Sequence, residues 1–180
     1  MKDKRLWNKN SSSANQELLQ SIATIVRDLK TGGIDLGSTK PRRRGVLILF
    51  SGPSGTGKTM AAELLAKQLG KPLQRIDLSR VISKYIGETE KNLDKLLSDA
   101  EIRDAVLFFD EADALFGRRS KVTDAHDRYA NLETNYLTAK LESYAGIAIL
   151  TTSLKAKIDS AFLRRIHKVI RFPRPDTAEE

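Results

Sequence analysis

Cysteine is missing from all 180 residues of this chain. Disulfide cross-links, thiolate metal sites and a cysteine nucleophile are excluded at once, and a chain of this length must hold itself together with an ordinary apolar core. Histidine is nearly missing as well. His126 and His167 lie far apart without ligand spacing, so they read as surface or structural groups and not as a metal site. No apolar run approaches the roughly 20 residues of a membrane-spanning helix. The charged N-terminus lacks the apolar segment of a signal peptide. A cytoplasmic location with no membrane partner is the default expectation.

What is present is concentrated around residues 46–59. Val46, Leu47, Ile48, Leu49 and Phe50 form a continuous apolar run, the mark of a strand covered on both faces. Ser51, Gly52, Pro53, Ser54, Gly55, Thr56, Gly57, Lys58 and Thr59 follow, and Gly52, Gly57, Lys58 and Thr59 fit the pattern G-x-x-x-x-G-K-[ST]. Residues 60–69, from Met60 onward, then favour a helix. Glycine amides without Cβ atoms converge on a polyphosphate at a helix start whose partial charge favours anions. Residues Gly52 to Met60 are the expected nucleotide-binding segment, with Lys58 reaching the β- and γ-phosphates of ATP and Thr59 ligating Mg²⁺. The plain alternative is a Gly-rich turn with a solvated lysine, and the agreement of strand, loop and helix argues against it.

Around this centre the chain divides into a disordered basic leader (1–14), an N-terminal helix and linker (15–44), a core domain (45–176) and a short tail (177–180). Leu18, Leu19, Ile22, Ile25, Val26 and Leu29 recur at helical spacing over 15–30, a stripe expected to pack, and Gly32-Gly33 ends that helix. Trp7 stands alone in the leader. Further strands are expected at 73–78, 105–110, 146–152 and 168–172, with helices at 88–102, 124–144 and 159–165 and an exposed loop at 117–127. Strands alternating with helices predict a three-layer α/β fold with a parallel sheet and right-handed crossovers.

The net charge of +8 is unevenly placed, since residues 1–44 carry ten Lys or Arg against four Asp or Glu. Arg42, Arg43 and Arg44 precede the first strand, whereas ligands of parallel sheets bind beyond the carboxyl ends of the strands. At roughly 3.3 Å per residue they lie about 20 Å from the phosphates. They read first as a solvated edge and only second as a polyanion patch, and nucleic acid is not the favoured partner.

Asp110 and Glu111 end the third expected strand and face the same crevice as the phosphate loop. Asp110 suits a Mg²⁺ shell, and Glu111 suits the activation of an attacking water. Two acids capping a following helix are the structural alternative.

Taken with the stretch from Ser83 to Glu90, which includes Tyr85, Ile86 and Gly87, these segments resemble the AAA subfamily of AAA+ ATPases from roughly Gly45 to Asp176. The chain is similar to the bacterial stand-alone members. The resemblance implies a sheet ordered 5-1-4-3-2, ATP at subunit boundaries and a ring, usually hexameric, acting on protein substrates. It makes Tyr85, Ile86 and Gly87 a pore loop that grips extended polypeptide, and Arg165 an arginine finger, with Lys168 at the second basic position. A buried tyrosine in a connection and a basic helix end are the ordinary readings of those two segments. The chain departs from the family pattern in three places. Ser153 stands where an asparagine usually orients the lytic water, and the Pro-Gly before the finger is missing. The residues through Glu180 also end before a helical lid. Two expectations stand open on the last point: a piece of a longer protein, or a protein that works without its own lid.

The functional expectation is an ATP- and Mg²⁺-dependent ATPase in which Glu111, Ser153 and Arg165 are catalytic and Thr59 and Asp110 hold the metal. The alternatives are a nucleotide-binding structural or regulatory module with little catalysis, and a nucleic-acid-handling relative.

Overall fold

The apolar runs at 46–50 and 106–109 offer no polar side chain to water, so both faces of each strand must be covered. The computed structural model of the chain describes residues 13–31, 45–81, 87–112, 136, 138–141, 143–153 and 163–173. Trp7, Arg42, Arg43, Arg44, Tyr85 and Ile86 lie outside these residues, as do the expected loop at 117–127, residues 124–135 of the helix expected at 124–144 and residues 159–162 of the helix expected at 159–165. Five strands are formed: β1 (Val46–Ser51), β2 (Leu73–Ile76), β3 (Val106–Phe109), β4 (Ile147–Thr152) and β5 (Lys168–Arg171). They build one sheet in the order β2-β3-β4-β1-β5, which is 5-1-4-3-2 read from the other edge. All four pairings are parallel.

The helices are α1 (Ser13–Thr31), α2 (Lys58–Leu69), α3 (Leu78–Val81) and α4 (Glu88–Ile102), and residues 138–141 are also helical. The period of two along each strand sorts its side chains between two cores. Val46, Ile48 and Phe50 of β1 pack with Val106, Phe108, Ile147 and Ile149 beneath α1 and α2. Leu47 and Leu49 pack with Leu107, Phe109, Ala148 and Leu150 beneath α3, α4 and Leu141. The result is three layers. Every residue of β1, β3 and β4 is buried, which is why these strands show no alternation of polarity in the sequence.

The stripe on α1 is packing except at Leu19, which is exposed. Leu18, Ile22, Ile25 and Val26 are all buried in the core shared with α2 and β5, so this helix is part of the folded body. Helix α2 ends at Gly70, whose left-handed φ of 70° lets the last carbonyls, of Ala66 and Lys67, be capped by backbone amides. Helix α4 matches its expected bounds and begins after Gly87 at φ 82°, with Glu88 and Glu90 in the turn where acids suit the dipole.

Three strands stop short of the carboxyl ends expected from the sequence, and β3 and β4 each begin one residue late, at Val106 and Ile147. β2 stops at Ile76 because Leu78 turns inward to open α3, and the connection expected from Ser79 onward begins with that helical turn. β3 stops at Phe109 because Asp110 and Glu111 leave the ladder in a turn. β5 stops at Arg171, although the Phe172 N–H still donates to Ser51 O at 2.8 Å.

Candidate functional site

The carboxyl end of β1 delivers the phosphate loop. Gly52 sits where β1 and the end of β5 come closest: a methyl group there would lie 2.3 Å from Phe172 O and 2.8 Å from Phe172 Cβ. Only glycine fits. Gly55 and Gly57 have φ of 78° and 89°, left-handed values that reverse the chain into the first turn of α2. The loop braces itself through the Thr56 hydroxyl, which donates to Pro53 O at 2.9 Å. The Lys58 ammonium donates to Gly52 O at 2.7 Å and to Pro53 O at 2.6 Å. A cation is thereby held over the loop, ready to move to an anion. Gly57 caps α2 and contributes no side-chain acceptor to the leading N–H groups of that helix.

The sheet order brings the acids to the same place. Ser54, Gly55, Gly57, Lys58, Thr59 and Met60 line one side of a cavity of about 280 Å³, and Asp110, Glu111, Thr151 and Ser153 line the other. β4 lies between β1 and β3, so its end closes the floor. Gly52, Pro53 and Thr56 are not among the lining residues; they shape the loop from behind. Asp110 Oδ1 accepts from Thr151 Oγ1 at 2.8 Å, and the Glu111 N–H donates to Thr151 Oγ1 at 2.9 Å and to Asp110 Oδ1 at 3.2 Å. Glu111 adopts φ 51°, one of two positive values at non-glycine residues among those described. The sequence alone does not single out Thr151 from its neighbour Thr152. The alternation of the strand was the available signal, and it could not say which threonine meets Asp110.

This donor set fits a triphosphate with a divalent cation. A loop of amides and an ammonium suits phosphate, while the Thr59 hydroxyl and the Asp110 carboxylate are hard oxygen donors of the kind Mg²⁺ takes. Among the described residues no group of three or more His, Asp or Glu could hold a metal by itself. Thr59 and Asp110 would supply two protein ligands to such a cation, which would leave the remaining positions to nucleotide and water, as is usual for Mg²⁺.

Arg165 is placed elsewhere. β5 pairs Lys168 with Ile48 and Arg171 with Ser51, so Arg165 precedes the amino end of the strand, while the cavity lies beyond the carboxyl ends. The separation along the strand direction is roughly 10 Å or more. Arg165 is not among the residues that line the chain's own cavity. Nearby, the Leu47 N–H donates to His167 Nδ1 at 3.1 Å while the His167 N–H donates to Leu47 O at 2.9 Å. Burial pushes the His167 pKa below its ordinary value. This histidine closes the entrance of the β1–β5 ladder, a structural use.

A model of the ATPase family associated with various cellular activities (AAA) matches residues 48–174. The chain belongs to the AAA family. The AAA family ATPase y4kL of Sinorhizobium fredii is 39% identical over 131 residues, covering 73% of this chain and 40% of that protein. The cell division cycle protein 48 homolog of Archaeoglobus fulgidus is 30% identical over 168 residues, covering 91% of this chain and 22% of that protein. The crystal structure of the FIGL-1 AAA domain in complex with ADP has the same fold, with a TM-score of 0.66 at 24% identity over 93% of this chain and 55% of that one. This AAA chain thus spans about two-fifths or less of the length of these two relatives. Among its described residues no helix is long and apolar enough to cross a membrane.

Proposed function

We propose that the chain binds ATP with Mg²⁺ and hydrolyses the β–γ phosphoanhydride, and that an assembly of its copies uses this cycle to remodel or thread protein substrates. The reading is carried by one observation: Lys58, Thr59, Asp110 and Glu111, drawn from two separate strand ends, line the same cavity. The loop amides of residues 54–60 take the phosphates, and Lys58 exchanges its carbonyl partners for phosphate oxygens. Thr59 and Asp110 would hold Mg²⁺, which would supply neutralisation of phosphate charge. Glu111 polarises the water that attacks the γ-phosphorus; the bond to the β–γ bridging oxygen breaks, and ADP leaves. Ser153 donates a hydrogen bond at the outermost phosphate, with a shorter reach and fewer donors than asparagine.

Arg165 does not line its own cavity and acts on a neighbour's nucleotide, which makes a homo-oligomer, hexameric in family terms, part of the proposal. Residues 45–176 form its catalytic unit, with α1 docked on it and Tyr85, Ile86 and Gly87 in the pore. The cytoplasm is the compartment this reading supposes.

Glu111→Gln tests the reading directly. Nucleotide binding should persist while turnover falls about 10²–10⁴-fold, the usual worth of general-base help; unchanged turnover removes Glu111 from its role. Ser153 favours a second reading, a nucleotide-binding regulatory module with little catalysis. Turnover per chain that rises with protein concentration, alongside a rising mass in solution with ATP, decides against the module.

A further inference from the structure

One buried hydroxyl touches both acids and has no part in the function proposed above. Thr151 is 1% exposed on β4. Its Oγ1 donates to Asp110 Oδ1 at 2.8 Å and accepts the Glu111 N–H at 2.9 Å, and its carbonyl accepts the Ala112 N–H at 2.9 Å. Three consecutive residues at the end of β3 thus hang from a single residue of the neighbouring strand. The middle one, Glu111, has φ 51°. A residue with a Cβ holds that conformation only where its surroundings over-determine it. The Thr151 hydroxyl is well suited to do so, because its one proton goes to Asp110 and a lone pair remains for the Glu111 amide. With Oδ1 so engaged, Asp110 keeps Oδ2 for a cation.

We propose that Thr151 is a positioning residue: it pins the Glu111 backbone in the left-handed turn that keeps the Glu111 carboxylate at the cavity, and it orients Asp110 beside it. The inference rests on the reading of Glu111 as the residue that activates water. Threonine to valine keeps the shape and removes both bonds, whereas threonine to serine keeps both. A purely structural methyl contact would respond in the opposite way.

The experiment follows amide hydrogen exchange by NMR in the full chain without nucleotide, using the buried Leu49 amide of β1 as the reference for overall stability. In Thr151→Val the Glu111 amide should exchange at least about 10-fold faster relative to Leu49, and in Thr151→Ser it should match wild type. Turnover at saturating ATP and Mg²⁺ should fall about 10- to 100-fold in Thr151→Val, with KM within about threefold, and should recover in Thr151→Ser. Thr151→Ala replaces the valine variant in both measurements should the latter fail to fold. An unchanged ratio of Glu111 to Leu49 exchange overturns the pinning. Faster exchange with full turnover overturns the positioning role. A wild-type chain without turnover removes the reading of Glu111 instead, and the exchange ratio still decides whether Thr151 holds that backbone.

Discussion

A single methyl group is the margin at Gly52, where any Cβ collides with the backbone of Phe172. Gly52→Ala is expected to push β5 away from β1 and to cost about 1–3 kcal/mol, the usual penalty for overpacking. A shift in the urea midpoint measures it, and weaker ATP binding should accompany it because the Gly52 carbonyl is one of two that seat Lys58. Lys58→Ala removes a charge-assisted contact worth about 1.5–3 kcal/mol. It should weaken ATP binding roughly 10- to 100-fold in a fluorescent-nucleotide titration. At this scale the sequence was legible wherever chemistry demands a residue type: the glycines, Lys58, Thr59 and the two acids were all named from their pattern. Thr151 was not, because its value lies in where the strand points its hydroxyl, and Glu111 carries no sign in its sequence of a left-handed backbone.

Periodicity carried the elements. The stripe on α1 was read as packing, and apart from Leu19 it is; Ile22, fully buried under α2 and β5, is the best single probe. Ile22→Ala should cost about 2–5 kcal/mol, as large-to-small changes in closed cores do, and a urea melt measures the loss. The entrance to β5 has a pH signature. Burial lowers the His167 pKa, and Nδ1 must stay unprotonated to accept the Leu47 N–H. The unfolded chain therefore binds this proton more readily than the folded one. The stability it contributes is present above the ordinary histidine value of about 6.5 and is lost as pH falls through the folded value. Thermal midpoints from pH 7.5 to 5 should fall less steeply in His167→Gln than in wild type. Strand ends were the weak part of the sequence reading, since Asp110, Leu78 and Phe172 are each compatible with a strand by residue type. Each leaves the ladder for a tertiary reason: a turn beside β4, an inward-facing helical turn, and the end of β1.

Across the described residues the parallel sheet separates the cavity from Arg165. The cavity lies beyond the carboxyl ends of β1, β3 and β4, and Arg165 lies before the amino end of β5. Arg165→Ala should leave nucleotide affinity within about threefold of wild type and lower turnover by about 10³-fold or more, since a finger acts on transition-state charge. Titration of the nucleotide and steady-state rates, taken at a fixed high protein concentration, check both halves. The sequence by itself determined the layered α/β class, the nucleotide loop and the identity of the two acids, because backbone conformation, helix periodicity and phosphate chemistry are local demands on residue type. Only the tertiary structure decided which threonine of β4 meets Asp110, why Gly52 tolerates no side chain, and that Arg165 does not line its own cavity. Those three depend on distances between segments remote in the chain, and such distances are set by strand order and register.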